Sequence, residues 1–413
     1  MNAESDAAII DGAPAWRRMM LALTLSTIGG IGFWSVVVAL PAIQAEFHID
    51  RGSASTPYLA TFLAFAVGGI LMGRLSDKFG VFVPVILGGA MLGVGYVAAA
   101  VATELWQFIA AQALFIGCLG SSATFAPLVA DVSLWFRRRR GIAVAIVASG
   151  NYLSGTLWPP LIQCGIDTIG WRQTHVVIGI VCIATILPLA LLLRRRAPID
   201  PHDGQAAPGA KLSNGPTGIP RPPGVQVLLM IAGIACCIAM ATPQVHIVAY
   251  CGDLGYGTQR GAEMLSVMLG LGVVSRISFG LIADKIGGLG ALLVSSALQM
   301  LAMFFYLPFD GLASLYIVSA MFGLAQGGIV PSYALIARDY FSASQAATRI
   351  SLVLMSTVAG MAIGGWMAGE IYDFTGSYSA AFVNGIGWNA LNVTIALLLL
   401  WHRRRPRPQL AMG

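Results

Sequence analysis

The sequence predicts an all-α membrane protein with twelve transmembrane helices arranged as two six-helix bundles. Three observations lead to this fold class: a composition poor in charge, twelve apolar runs of membrane-spanning length, and a short segment that recurs in both halves of the chain. Of the 413 residues, 57% are hydrophobic and only 10% are charged. Because soluble proteins carry about 25% charged residues, a deficit of this size indicates a chain that is largely exposed to lipid.

Each apolar run is long enough for a hydrocarbon core of about 30 Å, which a helix of about 20 residues crosses. The runs cover residues 19–43, 55–75, 81–102, 105–130, 141–164, 172–193, 225–250, 262–283, 288–308, 312–336, 348–370 and 379–401. Between the sixth and seventh runs, residues 194–224 contain seven prolines and five glycines, which is typical of a flexible linker. We therefore expect an N-terminal bundle over 1–193, a linker over 194–224 and a C-terminal bundle over 225–413.

Basic residues are unevenly distributed between the loops. If the amino terminus is cytoplasmic, only Arg51, Arg172 and Arg260 fall in external loops and Arg276 falls inside a run, so that the other 20 of the 24 Lys and Arg residues are cytoplasmic. This asymmetry predicts that both termini lie in the cytoplasm. The first run is long enough to span, so we expect a transmembrane helix there and not a cleaved signal peptide.

The composition disfavours several functional classes. The net charge of +6 comes from short basic flanks of apolar runs, so we expect no nucleic-acid partner. The six cysteines lie mostly within apolar runs without the spacing of metal ligands, and we interpret them as small buried hydrophobic residues. Since the loops carry no convergent nucleophile or metal cluster, we expect neither an enzyme nor a cofactor, and a membrane enzyme or receptor is the least favoured alternative.

A short motif follows the second run of each half. "GRLSDKFG" (73–80) and "GLIADKIG" (280–287) share Gly, Asp, Lys and Gly at an offset of 207 residues. Such an offset predicts two halves related by a parallel repeat. In the first copy, Gly73 is suited to a tight exit from the second helix, and Asp77 could cap the third helix.

Arg276 is the only charged residue between Met264 and Ala283. Eight helical residues separate it from Asp284, which places it about 12 Å into the membrane, close to the middle. A charge at that depth costs about 2.5–3.5 kcal/mol on insertion scales. The offset of 207 maps Arg276 onto Gly69, so the fold itself does not require the arginine. An ion pair is one explanation, but no acid lies deep in another run, and an anionic substrate is the explanation we favour.

The repeated motif resembles the G-x-L-x-D-[RK]-x-G signature of the major facilitator superfamily, although the second copy has Leu281 in place of Arg74 and Ile282 in place of Leu75. This resemblance covers nearly the whole chain and implies a central cavity between the bundles and transport by alternating access. The residues that it identifies as a gating loop are Gly73, Arg74, Asp77, Lys78, Gly80, Asp284 and Lys285.

Three further stretches are similar to the monocarboxylate and oxalate–formate transporter groups: "WFRRRRGIAVAIVASGNYLSG" (135–155), "PQVHIVAYCGDLGYG" (243–257) and "SRISFGLIADKIGG" (275–288). In those groups an arginine in the eighth helix binds the substrate anion, which is the place of Arg276. The resemblance also implicates Asp253, together with His246, in proton coupling. Asp253 could instead cap the eighth helix, and His246 could be a packing residue.

Other polar residues near the middle of helices complete the predicted substrate site: Asn151, Tyr152, Gln326, Ser356 and Trp34. The lysine that animal monocarboxylate transporters carry in the first helix, and the one that the oxalate transporter carries in the eleventh, are missing here. Gly272 occupies the place of an acid found in animal homologues. A single cation in the cavity fits a monoanion better than a dianion.

These observations predict a monomeric secondary active transporter of a small monocarboxylate, with proton symport as the favoured coupling. The partners expected are the carboxylate substrate, the proton and the lipid bilayer of a bacterial inner membrane. An anion exchanger and an exporter of amphipathic organic compounds are the alternatives within the same fold.

Overall fold

The computed structural model describes residues 10–136, 138–195, 224–341 and 343–404. All regular structure within these residues is helical. Residues 196–223, which form most of the predicted linker, lie outside them.

The helices group into twelve segments, labelled α1 to α12. In the N-terminal half these are α1 (Ala13–Gly29 and Ile31–Phe47), α2 (Arg51–Phe79), α3 (Phe82–Val101), α4 (Leu105–Ala110, the π-helix Ala111–Ser121 and Ala126–Trp135), α5 (Arg140–Ala148 and Gly150–Ile169) and α6 (Trp171–Leu191). In the C-terminal half they are α7 (Val225–Asp253), α8 (258–286), α9 (288–305), α10 (Leu312–Gln326 and Ile329–Tyr340), α11 (Ala343–Thr375) and α12 (Tyr378–Arg404).

Ten helices of the described residues are long and apolar enough to cross a membrane. One of them, Thr258–Phe305, has 48 residues and is interrupted at Gly287, so it supplies the two crossings α8 and α9. Gly150–Ile169 in α5 is not among the ten, because prolines and polar residues interrupt its apolar sequence. With α5 included, each predicted run corresponds to one segment.

The repeat is visible in the backbone where α2 and α8 end. Gly80 has φ 83° and ψ 166°, and Gly287, at an offset of 207, has φ 77° and ψ 164°. These positive φ angles favour glycine because a side chain would be strained there. Both halves therefore use the same turn before their third segment.

The turn differs from the geometry expected of the gating motif. Gly73 lies inside α2, which continues to Phe79, so it does not form the exit from the helix. Asp77 makes no cap for α3, whose N-cap is Val81 without a side-chain hydrogen bond. Arg74, Lys78, Asp284 and Lys285 likewise lie on the last turns of α2 and α8. The motif is thus a helix end closed by a glycine.

The centres of α1 and α7 form the core of the bundle. All residues from 29 to 40 and from 235 to 249 are buried, as expected for helices that are hydrophobic all round. The two stretches overlap at the same offset of 207, so α1 and α7 are equivalent in the two halves. The halves contact each other mainly through α2 with α11 and α5 with α8, and also through α1 with α7.

We name the two ends of the bundle by the loops that they carry. The far end carries the turns between α1 and α2 and between α7 and α8, and the terminal end carries the described residues nearest to both chain termini. Asp50 begins α2 at the far end, where its side chain accepts a hydrogen bond from the Ser53 N–H at 2.7 Å. Hydrogen bonding to Ser53 lowers the pKa of the Asp50 carboxyl.

Candidate functional site

Arg276 lies at the contact between α8 and α5, halfway along the bundle. It is ten residues from the end of α8, about 15 Å along a helix. Its guanidinium carbon is 4.4 Å from the centre of the Tyr152 ring, within cation–π distance. Its Nη1 donates to the backbone oxygen of Ala148 at 3.2 Å, while its Nε is buried without a hydrogen-bond partner.

The guanidinium of Arg276 has no acidic partner among the residues whose side chains are described. The ion pairs within 4.0 Å in this part of the chain join other residues. Because a buried charge is stable only when it is paired or hydrogen-bonded, one aromatic ring and one carbonyl leave Arg276 under-compensated. Among these residues, the geometry therefore disfavours the ion-pair explanation and leaves part of the Arg276 charge without a partner.

Gln326 on α10 and Gln244 on α7 lie beside the Arg276–Tyr152 pair. A Cβ added at Gly272, one turn from Arg276, would be 2.6 Å from the Tyr152 ring and 3.6 Å from Gln326 Nε2. The Oε1 atom of Gln326 accepts a hydrogen bond from Gln244 Nε2, and its own Nε2 is buried without a partner. Gln244 was not identified from the sequence; a polar residue beside Pro243 in an apolar helix was the available signal.

Trp34 on α1 connects to the same layer through α5. Its indole Nε1 donates to the backbone oxygen of Asn151 at 3.2 Å. The side-chain Oδ1 of Asn151 is buried and has no hydrogen-bond partner. We refer to Arg276, Tyr152, Gln326, Gln244 and Asn151 as the central site.

The central site contains two donors and one acceptor without partners: Arg276 Nε, Gln326 Nε2 and Asn151 Oδ1. Buried polar atoms are almost always hydrogen-bonded in proteins, so each exception needs an explanation. Two unpaired donors, one of them cationic, are suited to the two oxygens of a carboxylate. The central site therefore carries donors of the kind that a small carboxylate needs.

Ser356 is the predicted site residue that does not join this group. Its hydroxyl donates to the backbone oxygen of Val353 and lies 2.9 Å from a Cβ placed at Gly233 on α7. Gly233 and Gln244 are eleven residues apart on α7, about 16 Å along the helix axis. Ser356 thus packs at another level of the bundle.

Asp253, at the end of α7, pairs with Arg51 at the start of α2. Each of its carboxylate oxygens is 3.2 Å from an Arg51 Nη atom. The expected alternative, a cap for α8, is not observed, because the N-cap of that helix is Gly257 without a side-chain hydrogen bond. Asp253 is nine residues beyond Gln244, about 14 Å along α7, so Asp253 and the central site occupy separate levels of the bundle.

His246 is fully engaged inside the C-terminal half. Its Nε2 lies 2.7 Å from the backbone oxygen of Gly365, which can only accept, and its Nδ1 lies 3.2 Å from the Tyr378 hydroxyl. That hydroxyl accepts a hydrogen bond from Arg51 Nη1, so it can give its own proton to Nδ1. This network suits a neutral imidazole and links His246 to Arg51 through one tyrosine.

The start of α2 is bound by the opposite half at several points. Asp373 on α11 accepts from the N–H groups of Arg51, at 2.9 Å, and of Gly52, at 2.5 Å. Together with Asp253 and Tyr378, these residues form what we call the far-end latch: Arg51, Gly52, Asp253, Asp373 and Tyr378. The sequence predicts Arg51 in an external loop, but it is the first residue of α2, and only 7% of its side chain is exposed.

Comparison with known proteins places these features in context. Monocarboxylate transporter 13 of Bos taurus is 27% identical over 380 residues, which cover 90% of this chain and 86% of that protein. The MFS-type transporter pynF of Aspergillus niger is 26% identical over 275 residues, 66% of this chain and 61% of that protein. The agnestins efflux protein AgnL12 of Paecilomyces divaricatus is 24% identical over 309 residues, 74% of this chain and 69% of that protein.

A solved structure shares the fold. The bacterial homologue of the human lysosomal transporter Spinster, in an inward-facing and occupied conformation, superposes with a TM-score of 0.70 over 94% of this chain and 98% of that one, at 14% identity. Since the relatives above are fungal and bovine, these comparisons support a multi-pass membrane protein without favouring the bacterial inner membrane expected from the sequence.

The family model of the Major Facilitator Superfamily matches residues 22–314, from α1 into α10. This match spans most of the described helices, includes both glycine turns and agrees with the structural likeness. Its members are transporters and not enzymes. The chain belongs to the Major Facilitator Superfamily.

Proposed function

We propose that this chain is a secondary active transporter that moves a small monocarboxylate by alternating access, together with a proton. The observation that carries the proposal is Arg276, a half-buried cation in the middle of the bundle with no carboxylate partner among the described residues. The unpaired Nε2 of Gln326 supplies a second donor beside it. One cation and one neutral donor favour a monoanion over a dianion.

The contacts between the halves support alternating access. Between residues whose side chains are both described, the hydrogen bonds that join the halves lie between the far end and Arg276. If both termini are cytoplasmic, as the charge distribution predicts, these contacts close the external end, as an inward-facing state requires. A carboxylate bound at the central site would then be released towards the cytoplasm.

We assign the transported proton to Asp253 and not to His246. Both ring nitrogens of His246 already have partners, whereas 35% of the Asp253 side chain is exposed. Protonation of Asp253 removes one charge of the ion pair with Arg51, which weakens the latch before the far end opens. One anion and one proton would then cross together without net charge.

Uptake into proteoliposomes tests the proposal. We expect the protein to take up at least one of formate, lactate, pyruvate and benzoate, faster when the outside is acidic. Arg276→Gln should lower uptake about a hundredfold, because it removes a charge-assisted hydrogen-bond pair. The control is Arg260→Gln, an exposed arginine on the same helix, which should transport normally. Uptake by Arg276→Gln at the control rate, or uptake of none of the four acids, would sink the proposal.

Export of an amphipathic compound is the second candidate, favoured by the likeness to the agnestins efflux protein. The same liposomes distinguish the two. A carboxylate carrier should reject the amides of these acids, because an amide supplies no negative charge to Arg276. An exporter that selects its substrates by their apolar surface should transport the acid and the amide alike.

A further inference from the structure

A cavity lies at the far end, between α1 and α7, well away from the central site. Its volume is about 450 Å³, and its lining includes Ala45, His48, Arg51 and Asp253. Cavities of about 300–1,000 Å³ hold small ligands in other proteins. Because Ala45 and His48 are exposed, the solution at the far end reaches this cavity directly.

Arg51, which lines the cavity, has unused binding capacity. Only 6% of the residue is exposed, and its Nε is buried without a hydrogen-bond partner. Its two contacts with Asp253 are both 3.2 Å, longer than the roughly 2.7–2.9 Å of strong charge-assisted hydrogen bonds. The buried pair Arg18–Asp131 reaches 2.8 Å in the same protein. The bond to Asp253 is therefore a loose one.

The partner of Arg51 is also replaceable. Asp253 is 35% exposed and contacts the cavity, so water, protons or another anion can reach its carboxylate. Tyr372 and Tyr378, whose ring centres are 4.8 Å and 5.7 Å from the Arg51 guanidinium carbon, hold that guanidinium in place. A second carboxylate entering the cavity would meet a positioned cation with one weakly held partner.

We propose that this cavity is an entry site for a small carboxylate, in which the ligand replaces Asp253 as the partner of Arg51. The inference rests on the proposed function, since it names where the same substrate class first binds. The exchange of one carboxylate for another keeps Arg51 paired while the link between α2 and α7 is lost. The substrate thereby helps to open the latch, and the central site lies about 14 Å further along α7.

Protection of a cysteine from labelling tests the entry site. The reporter is Ala45→Cys with Cys164→Ser, because Cys164 is exposed and the other five cysteines are buried. A membrane-impermeant thiol reagent is applied to the membrane face that carries the far end. Acetate serves as the test ligand and acetamide as its neutral counterpart. All proteins carry Arg276→Gln, so that binding at the central site does not contribute.

We expect acetate, and not acetamide, to slow labelling of the introduced thiol in this background. Arg51→Gln should raise the half-protecting acetate concentration about tenfold or more, as expected for a lost charged hydrogen bond, while Arg260→Gln should leave it unchanged. Asp253→Asn, which frees Arg51, should lower it several-fold. This gain is the decisive result, because loss of fold cannot produce tighter binding.

Absence of protection by acetate, equal protection by acetamide, or no gain with Asp253→Asn would each overturn the entry site. The labelling assay reads binding in a protein that is not expected to transport, so its outcome is independent of the uptake experiment. Loss of the proposed function with retained protection would leave Arg51 as an anion site on its own.

Discussion

Two arginines of this protein, the buried Arg18 and the half-buried Arg276, differ in what surrounds the guanidinium. Arg18 on α1 contacts both carboxylate oxygens of Asp131, at 2.8 Å and 3.1 Å, and also donates to the backbone oxygens of Leu192 and Leu193 at the end of α6. Arg276 has a ring, one carbonyl and an unpaired Nε. The guanidinium of Arg18 is therefore fully paired within the fold, whereas Arg276 keeps one donor without a partner, which is the basis of the anion site that we propose.

The Arg18–Asp131 pair should contribute to the stability of the fold and not to transport. Asp131→Asn leaves the Arg18 charge buried without its partner and should cost about 3–5 kcal/mol, as is usual for a broken buried pair. Arg260→Gln, which breaks an exposed pair, should leave the unfolding temperature nearly unchanged. Thermal unfolding of the purified proteins measures both, and Arg18→Met with Asp131→Leu should recover most of the loss. An Asp131→Asn protein that melts like Arg260→Gln would contradict this assignment.

Sequence alone identifies one of the two arginines for which we propose a function. Arg276 stands out because it interrupts a long apolar run, which makes its cost evident without a structure. Arg51 stands at the edge of a run, where a charge is typical of a loop. Its burial depends on Asp253, Asp373 and Tyr378, which are more than 200 residues away in sequence, and no local pattern reports such contacts.

The helices are predicted better than their ends. The second run, 55–75, corresponds to α2, but the helix extends over Arg51–Phe79. Apolar residues mark only the part of a helix in contact with lipid or core. The ends of α2 are set by the Asp50 cap and the positive φ of Gly80, which depend on hydrogen bonding and backbone angles.

The close contact of α5 with α8 requires a glycine at position 272. A Cβ at Gly272 would be 2.6 Å from the Tyr152 ring, whereas a Cβ at Gly280, two turns further along α8, would meet nothing within 4 Å. Gly272→Ala should destabilise the protein by about 1–3 kcal/mol through overpacking, and it should slow transport by moving Tyr152 away from Arg276. Gly280→Ala should be neutral or stabilising by up to about 1 kcal/mol. Unfolding temperature and uptake rate check both; equal behaviour of the two variants would contradict the close contact.

The molecule as a whole has a symmetric scaffold and an asymmetric set of charges. The offset of 207 relates the buried centres of α1 and α7 and the glycine turns at Gly80 and Gly287. It does not relate the chemistry, since it maps Arg276 onto Gly69 and Arg51 onto Thr258. The repeat in the sequence therefore predicts the scaffold. The repeat does not predict which end of the molecule is closed, because the conformational states of a transporter differ by only a few kcal/mol.

Closure of the far end should be a step of the transport cycle and not a fixed feature of the fold. Gln163 on α5 donates to Thr258 on α8 at 2.7 Å, so cysteines at these positions lie across the boundary between the halves. With Cys164 replaced by Ser, a short reversible thiol cross-linker between Gln163→Cys and Thr258→Cys should hold the far end closed.

We expect the cross-linked protein to lose uptake and to regain it on reduction, because a carrier that cannot open its far end cannot complete a cycle. The matched control is Arg260→Cys with Glu263→Cys, two positions within α8 where Arg260 Nη1 lies 3.0 Å from Glu263 Oε2. The same linker there does not connect the two halves, so it should leave uptake intact. Normal uptake by the linked Gln163→Cys, Thr258→Cys protein would mean that α5 and α8 do not separate at the far end. Separation of α5 from α8 at the far end would then not be a step of the transport cycle.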